Sequence, residues 1–218
     1  GISLIQTAEG ALNETHSILG RMRDLSVQSA NGTLSSDDRS AIQKEFKSLQ
    51  TEISRISTTT EFNTKKLLDG KDGGGSGDQA FTFQIGANAK QTMAVTVGAM
   101  NASALGVSSI SLVASTATTD AAQQALASAA IVAIDSAITK VSGQRADLGA
   151  AQNRLTHTVN NLGTTEENLS EANSRIRDVD MAEEMTNFTK ANILTQASTS
   201  MLAQANSMPN SVLSLLQG

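Results

Sequence analysis

One heptad position of the chain carries a large aliphatic side chain seven times in succession. The series is Ile134, Val141, Leu148, Leu155, Leu162, Leu169 and Ile176. Sustained heptads are typical of coiled-coil helices, because they keep one apolar seam facing a partner. The residues four places further on are mostly polar, at Ile138, Arg145, Gln152, Val159, Glu166 and Asn173. We predict a rod helix over 119–177, roughly 80 Å long at 1.5 Å per residue, with a half-hydrophilic seam.

Residues 1–57 carry two further helical patterns that are joined by a short link. The first has apolar residues every seven positions, at Ile5, Leu12 and Leu19. The second alternates spacings of four and three, at Ile42, Phe46, Leu49, Ile53 and Ile56. Asn31-Gly32 favours the left-handed backbone that ends helices, and Ser35 with Asp38 resembles a capping box. We expect these two helices to form an antiparallel hairpin.

Residues 58–118 lack a helical repeat and show the clearest alternating pattern. Apolar residues occupy every second position in two runs, at Phe81, Phe83 and Ile85, then at Met93, Val95 and Val97. This alternation predicts a small β-hairpin that must pack on the helices to be stable. The glycine-rich run 73–77 has no strand–loop–helix context and no following lysine, so we interpret it as a linker rather than a phosphate-binding loop.

The last segment, 178–218, is apolar on one side and almost free of charge. No Asp, Glu, Lys or Arg follows Lys190. Its large apolar residues are Met185, Phe188, Leu194, Met201, Leu202, Met208, Val212, Leu215 and Leu216. An exposed apolar stripe with so little charge usually marks a surface that binds protein.

Composition supports a mainly α fold, a long antiparallel helical bundle of coiled-coil-like rods with a small β-hairpin region. Only 2% of the residues are aromatic and there is one proline, which suits long helices that pack along narrow seams. The net charge is −5 without a basic cluster, so nucleic-acid binding is not expected. We found no apolar run of about 18 residues and no cleavable signal, so no membrane span is expected.

The chain shows no catalytic, metal-binding or cofactor-binding constellation. It has no cysteine, and neither His16 nor His157 has a second ligand at helical spacing. The acidic group Asp178, Asp180, Glu183 and Glu184 is better explained by the start of a helix, whose dipole favours negative charge. We therefore expect no enzyme activity.

Two long stretches resemble bacterial flagellin. The first comprises Gly1–Thr15 and Leu19–Asn31, and the second runs from Arg175 through Leu202–Asn206 to Val212–Leu216. Shorter matches between them are Glu61–Asn63, Lys66–Leu68, Phe83–Ala87 and Ala104–Gly106. The resemblance implies a core region that lacks the N-terminal end of that family and its variable outer domains.

The resemblance implies a structural subunit of the flagellar filament that assembles with copies of itself and serves motility. Segments 1–57 and 119–177 would belong to the inner filament domain, and 178–218 to the inner tube. Subunits of this family are secreted through the flagellar type III apparatus, and an export chaperone holds the C-terminal tail. Hook–filament junction and cap proteins are further implied partners. The alternative at this stage is a soluble coiled-coil adaptor or secretion-needle-like component. An enzyme carried on a flagellin-like scaffold is disfavoured, because the chain has no His-Glu-x-x-His motif and no long insert to house one.

The family also implies recognition by Toll-like receptor 5 of hosts. The positions that match its receptor-contact patch are Arg21 and Leu25 on the first helix and Glu45 on the second. The residue before that arginine is often glutamine in the family, whereas this chain has Gly20. We expect recognition to be retained but weakened.

Overall fold

The computed structural model describes residues 1–70, 77–113, 119–178 and 180–216, with side chains described as far as residue 209. The elements in chain order are α1 (Ile2–Ser29), α2 (Ser36–Thr59), β1 (Glu61–Phe62), β2 (Lys65–Lys66), β3 (Gln79–Gln84), β4 (Thr92–Val97), α3 (Asp120–Arg177) and α4 (Met181–Leu216). The predicted fold class, mainly α with a small antiparallel β region, is confirmed. The predicted linker at 73–77 falls mostly outside the described residues.

The described chain divides into two compact units, Gly1–Leu162 and Gly163–Gly218. The division falls inside α3, whereas the sequence suggested a boundary between 177 and 178. Within the first unit, α3 runs antiparallel to α1. Arg23 Nε lies 2.7 Å from Asp135 Oδ1, and a Cβ built on Gly1 would contact Leu155.

The start of α2 is fixed by the local hydrogen bonds that were predicted from the sequence. The Asp38 N–H donates to Ser35 Oγ at 3.2 Å, and the Ser35 hydroxyl donates to Asp38 Oδ2 at 2.6 Å. The Ser35 N–H also donates to Asp38 Oδ2, which completes the predicted capping box. These hydrogen bonds, the hydroxyl first, hold the pKa of the Asp38 carboxyl below its usual value. The carboxylate therefore stays charged at the end of the helix dipole that favours it.

The core of the first unit lies between α1, α2 and the first half of α3, and the seam of α3 pairs large residues with small ones. Ile134, Val141, Leu148 and Leu155 are buried, as are Ala130, Ala137 and Ala151. Ala137 and Ala151 lie three residues after Ile134 and Leu148, and Gln144 occupies the same position after Val141. The predicted half-hydrophilic seam is therefore wrong for this part of α3, because the partner positions were counted four residues on instead of three.

The β3–β4 hairpin covers one side of the helices. The strands pair antiparallel with Phe81 opposite Val95 and Phe83 opposite Met93, which confirms the predicted hairpin. Burial along β4 alternates strictly, with Met93, Val95 and Val97 inside. Two marginal strands are thus held by the helical core beneath their apolar face.

Glutamine side chains tie the loops of the first unit to the helices. Gln50 Nε2 donates to the carbonyl oxygens of Val107 and Ile110 at 2.6 and 2.9 Å. Gln43 Oε1 accepts from the Leu112 N–H at 2.6 Å. These bonds satisfy backbone groups that no strand or helix pairs, which is why an irregular segment can pack against α2.

One window of the helices meets a simple criterion for a membrane span, which the sequence had not led us to expect. Within the range Asp120–Pro209, a window of 18 residues has a mean hydropathy of 1.4, and 28% of that window is buried inside the protein. Length and composition are its sole support, and core helices of soluble proteins meet the same criterion. A single helix of this kind is weak evidence of a membrane span.

The turn between β1 and β2 stores backbone strain. Both of its residues have positive φ, 50° at Asn63 and 65° at Thr64. Two-residue hairpin turns of this type favour glycine at the second position, and a β-branched residue there is strained.

We expect Thr64→Gly to raise the free energy of unfolding by about 1 kcal/mol in urea denaturation. The matched control is Thr51→Gly in the middle of α2, which should lower it by a similar amount. A loss of stability at Thr64 would contradict this account.

Candidate protein-interaction surfaces

The aliphatic heptad series of α3 is covered over its first half and uncovered over its second. Ile134, Val141 and Leu148 have no exposed surface, and Leu155 is 7% exposed. The exposed fraction then rises along the series to 42% at Leu162, 64% at Leu169 and 83% at Ile176. The apolar periodicity does not change where the burial stops. The second half therefore exposes an apolar seam against which no described part of the chain packs.

Helix α4 presents a second apolar surface. The predicted contact residues that carry described side chains are each more than half exposed, namely Met185, Phe188, Leu194, Met201, Leu202 and Met208. Val212, Leu215 and Leu216 lie in the helix, but their side chains fall outside the described residues. Within the second unit, the exposed apolar side chains of α4 and of α3 from Leu169 onward form what we call the apolar tail surface.

The apolar tail surface includes two residues that lie outside the predicted contact set. Ile193 is 60% exposed beside Leu194, and Met181 is 68% exposed at the first residue of α4. Ile193 lies outside the seven-residue series through Leu194, Met201 and Met208. A wider apolar stripe, rather than one heptad position, was the signal that could have found it.

The concavities along α4 are open. The larger one has a volume of about 500 Å³ and is lined by Met185, Thr186, Thr189, Lys190, Ile193 and Leu194. All six residues belong to one helix, so this is the side of an exposed helix rather than an enclosed chamber for a small ligand. Its shape suits a helix or loop of another protein.

A salt bridge brings together two of the three residues assigned to receptor contact. Arg21 Nε donates to Glu45 Oε1 at 2.8 Å, and the two side chains are 54% and 45% exposed. Leu25 differs, since it is 1% exposed and packs in the core one turn further along α1. A direct contact through the Leu25 side chain does not fit this burial. The surface that remains is the Arg21–Glu45 pair.

The acidic group near the start of α4 has a structural role. Asp180 Oδ1 accepts from the Ala182 N–H at 2.9 Å and from the Glu183 N–H at 3.4 Å, which caps the helix. Asp178 accepts a hydrogen bond from the Ser174 hydroxyl. In the described part of the chain, no group of three or more His, Asp or Glu residues could hold a metal ion.

The fold and these surfaces define a helical structural subunit with exposed apolar helix faces. The sequence matches the bacterial flagellin N-terminal helical region over residues 1–72 and the bacterial flagellin C-terminal helical region over residues 131–216.

Similar proteins agree with these matches. The chain is 51% identical to a flagellin of Bacillus subtilis, over 100% of this chain and 78% of that protein. It is 47% identical to the flagellar filament 33 kDa core protein of Treponema phagedenis, over 100% of this chain and 76% of that protein. The crystal structure of Bacillus cereus flagellin shares 32% identity with a TM-score of 0.58, covering 78% of this chain and 90% of that one.

The chain belongs to the bacterial flagellin family. It is a structural protein of the flagellar filament and not an enzyme, and the filament that such subunits form lies outside the cell. The predicted family and the absence of enzyme activity are thereby confirmed.

The change in burial along α3 predicts unequal effects of one substitution at two heptad positions. In the unassembled chain, Leu148→Ala should lower the free energy of unfolding by about 3 kcal/mol, because it opens a cavity in a packed core. Leu169→Ala on the same series should change it by less than about 0.5 kcal/mol, since its side chain is mostly in water already. Thermal and urea unfolding of both variants would measure this. Equal losses at the two positions would show that the second half of α3 is packed in the free chain.

Proposed function

We propose that this chain builds the filament by burying its apolar tail surface against the equivalent helices of neighbouring copies. The observation that carries the proposal is the row of large apolar side chains from Leu169 to Met208 that are each more than half exposed. The absence of charge after Lys190 supports it, since charged groups would oppose close packing between helices.

The size of the apolar tail surface favours a permanent partner over water. Full burial of one Leu, Ile, Met or Phe side chain is favourable by about 1.5–3 kcal/mol. Several such side chains must first offset the loss of translational and rotational freedom on association, about 4–15 kcal/mol. A surface spread over two helices supplies enough of them. Because different faces of one subunit meet, the contact need not close on itself, and an open helical polymer results.

The same surface explains why the subunit needs protection before assembly. A helix that exposes Phe188, Met201 and Leu202 in water would associate indiscriminately inside the cell. In this proposal an export chaperone covers α4 until the subunit passes through the flagellar type III apparatus and is secreted. At the ends of the filament, hook–filament junction and cap proteins cover the surfaces that a further copy would occupy.

We expect loss of apolar area on the tail to weaken assembly without unfolding the first unit. In the full-length subunit, Leu169→Ser combined with Met201→Ser should raise the concentration needed for polymerisation at least tenfold, equivalent to a loss of about 1.4 kcal/mol. Sedimentation of seeded subunits measures this, and hydrogen exchange over 180–218 should slow on assembly in the native protein. The same variant should bind the export chaperone more weakly.

The control for the assembly experiment is Val132→Ser. Val132 is 70% exposed, but it lies on the part of α3 that belongs to the first unit. It should leave the polymerisation concentration unchanged. If the native full-length subunit stays soluble after seeding, the alternative of a soluble coiled-coil adaptor replaces this proposal.

Recognition by Toll-like receptor 5 would depend on the Arg21–Glu45 pair. The pair is about half exposed and joins α1 to α2, so both groups are held in place yet reachable from solvent. Leu25 belongs to the buried core on which α1 packs. Gly20 leaves open space where a longer side chain would extend the contact, since a Cβ built there meets nothing within 4 Å.

We expect Arg21→Ala to lower potency in a receptor-reporter assay about tenfold, the effect of losing ~1.4 kcal/mol of binding. Folding should be unaffected, because exposed salt bridges contribute little to stability. Gly20→Gln should raise potency. The matched control is Arg55→Ala on α2, whose salt bridge to Glu52 is similarly exposed and should not influence the response. Equal potency of the Arg21 and Arg55 variants would remove this site.

A further inference from the structure

The link between α1 and α2 contains the single Asn-Gly pair of the chain, Asn31-Gly32. The backbone nitrogen of a residue that follows asparagine can attack the side-chain amide, and glycine hinders this attack least because it has no Cβ. Both residues are exposed, so water can reach the pair and ammonia can leave. Whether this chemistry runs in a folded protein depends on the groups around the two residues.

The Asn31 side chain is folded toward the backbone that would attack it. Its Oδ1 accepts a long hydrogen bond of 3.4 Å from the Thr33 N–H, so the side-chain amide lies over the intervening Gly32 peptide. The same contact polarises the side-chain carbonyl, which makes its carbon more electrophilic. The Asn31 N–H donates to the Gln28 carbonyl at 3.1 Å and fixes the residue at the end of α1.

A buried guanidinium contacts the main-chain peptide group between Asn31 and Gly32, whose nitrogen makes the attack. Arg39 Nη2 donates to the Asn31 carbonyl oxygen at 3.2 Å, and Arg39 is 2% exposed. This oxygen belongs to the peptide group whose nitrogen is that of Gly32. When that nitrogen loses its proton, negative charge spreads onto the oxygen that Arg39 contacts. A cationic donor at a developing oxyanion lowers the barrier, most of all where water is excluded.

The charge of Arg39 is poorly compensated by the described part of the chain. Asp120 Oδ1 lies 3.6 Å away and is itself mostly exposed. Among the described residues, the buried Nε and Nη1 atoms of Arg39 have no hydrogen-bond partner. An undercompensated buried cation favours negative charge nearby, both in the transition state and in the product.

We propose that Asn31 is a site of spontaneous deamidation that Arg39 promotes. Water or hydroxide removes the Gly32 N–H proton, the nitrogen bonds to Asn31 Cγ, and the side-chain amine leaves as ammonia. The resulting five-membered imide is then hydrolysed by water. Cleavage on the side-chain side gives aspartate, and cleavage on the main-chain side gives isoaspartate. No oxidant or reductant is needed, because the reaction exchanges an amide for a carboxyl group.

The modification has two physical consequences for the subunit. Each event adds one negative charge beside Arg39 and offers its Nε and Nη1 atoms an anionic partner. The isoaspartate product also lengthens the backbone between α1 and α2 by one methylene. Subunits would therefore become chemically heterogeneous with age at the link between two core helices.

The test compares the rate of deamidation at Asn31 in the folded chain and in the same chain kept unfolded in urea. Mass spectrometry of the peptide that contains Asn31 follows the loss of ammonia, with Asn173-Ser174 on α3 as an internal reference. We expect the folded chain to react at Asn31 at least as fast as the unfolded one, whereas Asn173 should react more slowly when folded. A folded rate at Asn31 below the unfolded rate would overturn the proposal.

A variant isolates the contribution of Arg39. Arg39→Gln should slow deamidation about tenfold in the folded chain and leave the unfolded rate unchanged, a smaller effect than removing an oxyanion-hole donor from an enzyme. Circular dichroism establishes that this variant is folded. An unchanged folded rate in a folded Arg39→Gln protein excludes promotion by Arg39. If the variant does not fold, the comparison of folded and unfolded native chain decides.

Discussion

The structure depends on one apolar seam along α3, whose residues are alike throughout but are buried only over its first half. Along α3 the same aliphatic heptad position is sealed at Leu148 and open at Ile176. Burial of the first half against α1 and α2 supplies the stability of the first unit. The second half has the same chemistry but gains that free energy only when another surface covers it. The sequence of α3 thus specifies folding and association with a single repeat.

The seam was predictable because periodicity is a local property of the sequence. Which part of the seam is buried depends on the tertiary fold and was not predictable. Heptad spacing and the Ser35–Asp38 capping box need only neighbouring residues, so the helices, the start of α2 and the β3–β4 hairpin followed directly. The left-handed backbone expected at Asn31-Gly32 was wrong, because α1 ends through a right-handed Ala30 and neither Asn31 nor Gly32 has a positive φ. The pairing of Ile134 with Ala137 was missed because alanine fits both a close helix contact and an exposed face. Leu25 was assigned to receptor contact by family resemblance alone, and the resemblance carries no information about the burial that the fold gives this side chain.

Long-range polar contacts escaped prediction for a different reason. Gln43 and Gln50 lie on α2 among many polar residues, and nothing in their spacing distinguishes them from solvent-facing ones. Their partners are backbone groups near residues 107–112, far along the chain. The same is true of Arg39, whose burial depends on the approach of α3 near Asp120. Such contacts are set by the tertiary fold, and only a structure reveals them.

The two units differ in their charged and polar contacts. In the first unit, salt bridges between helices, Arg21–Glu45 and Arg23–Asp135, and the glutamine contacts to loops fix one arrangement of the elements. Directional contacts of this kind specify geometry more than they add stability. The last 28 residues carry no charge, so packing there is governed by area and shape alone. A surface without fixed charges can exchange one apolar partner for another, because no such exchange requires a buried ion pair to be broken.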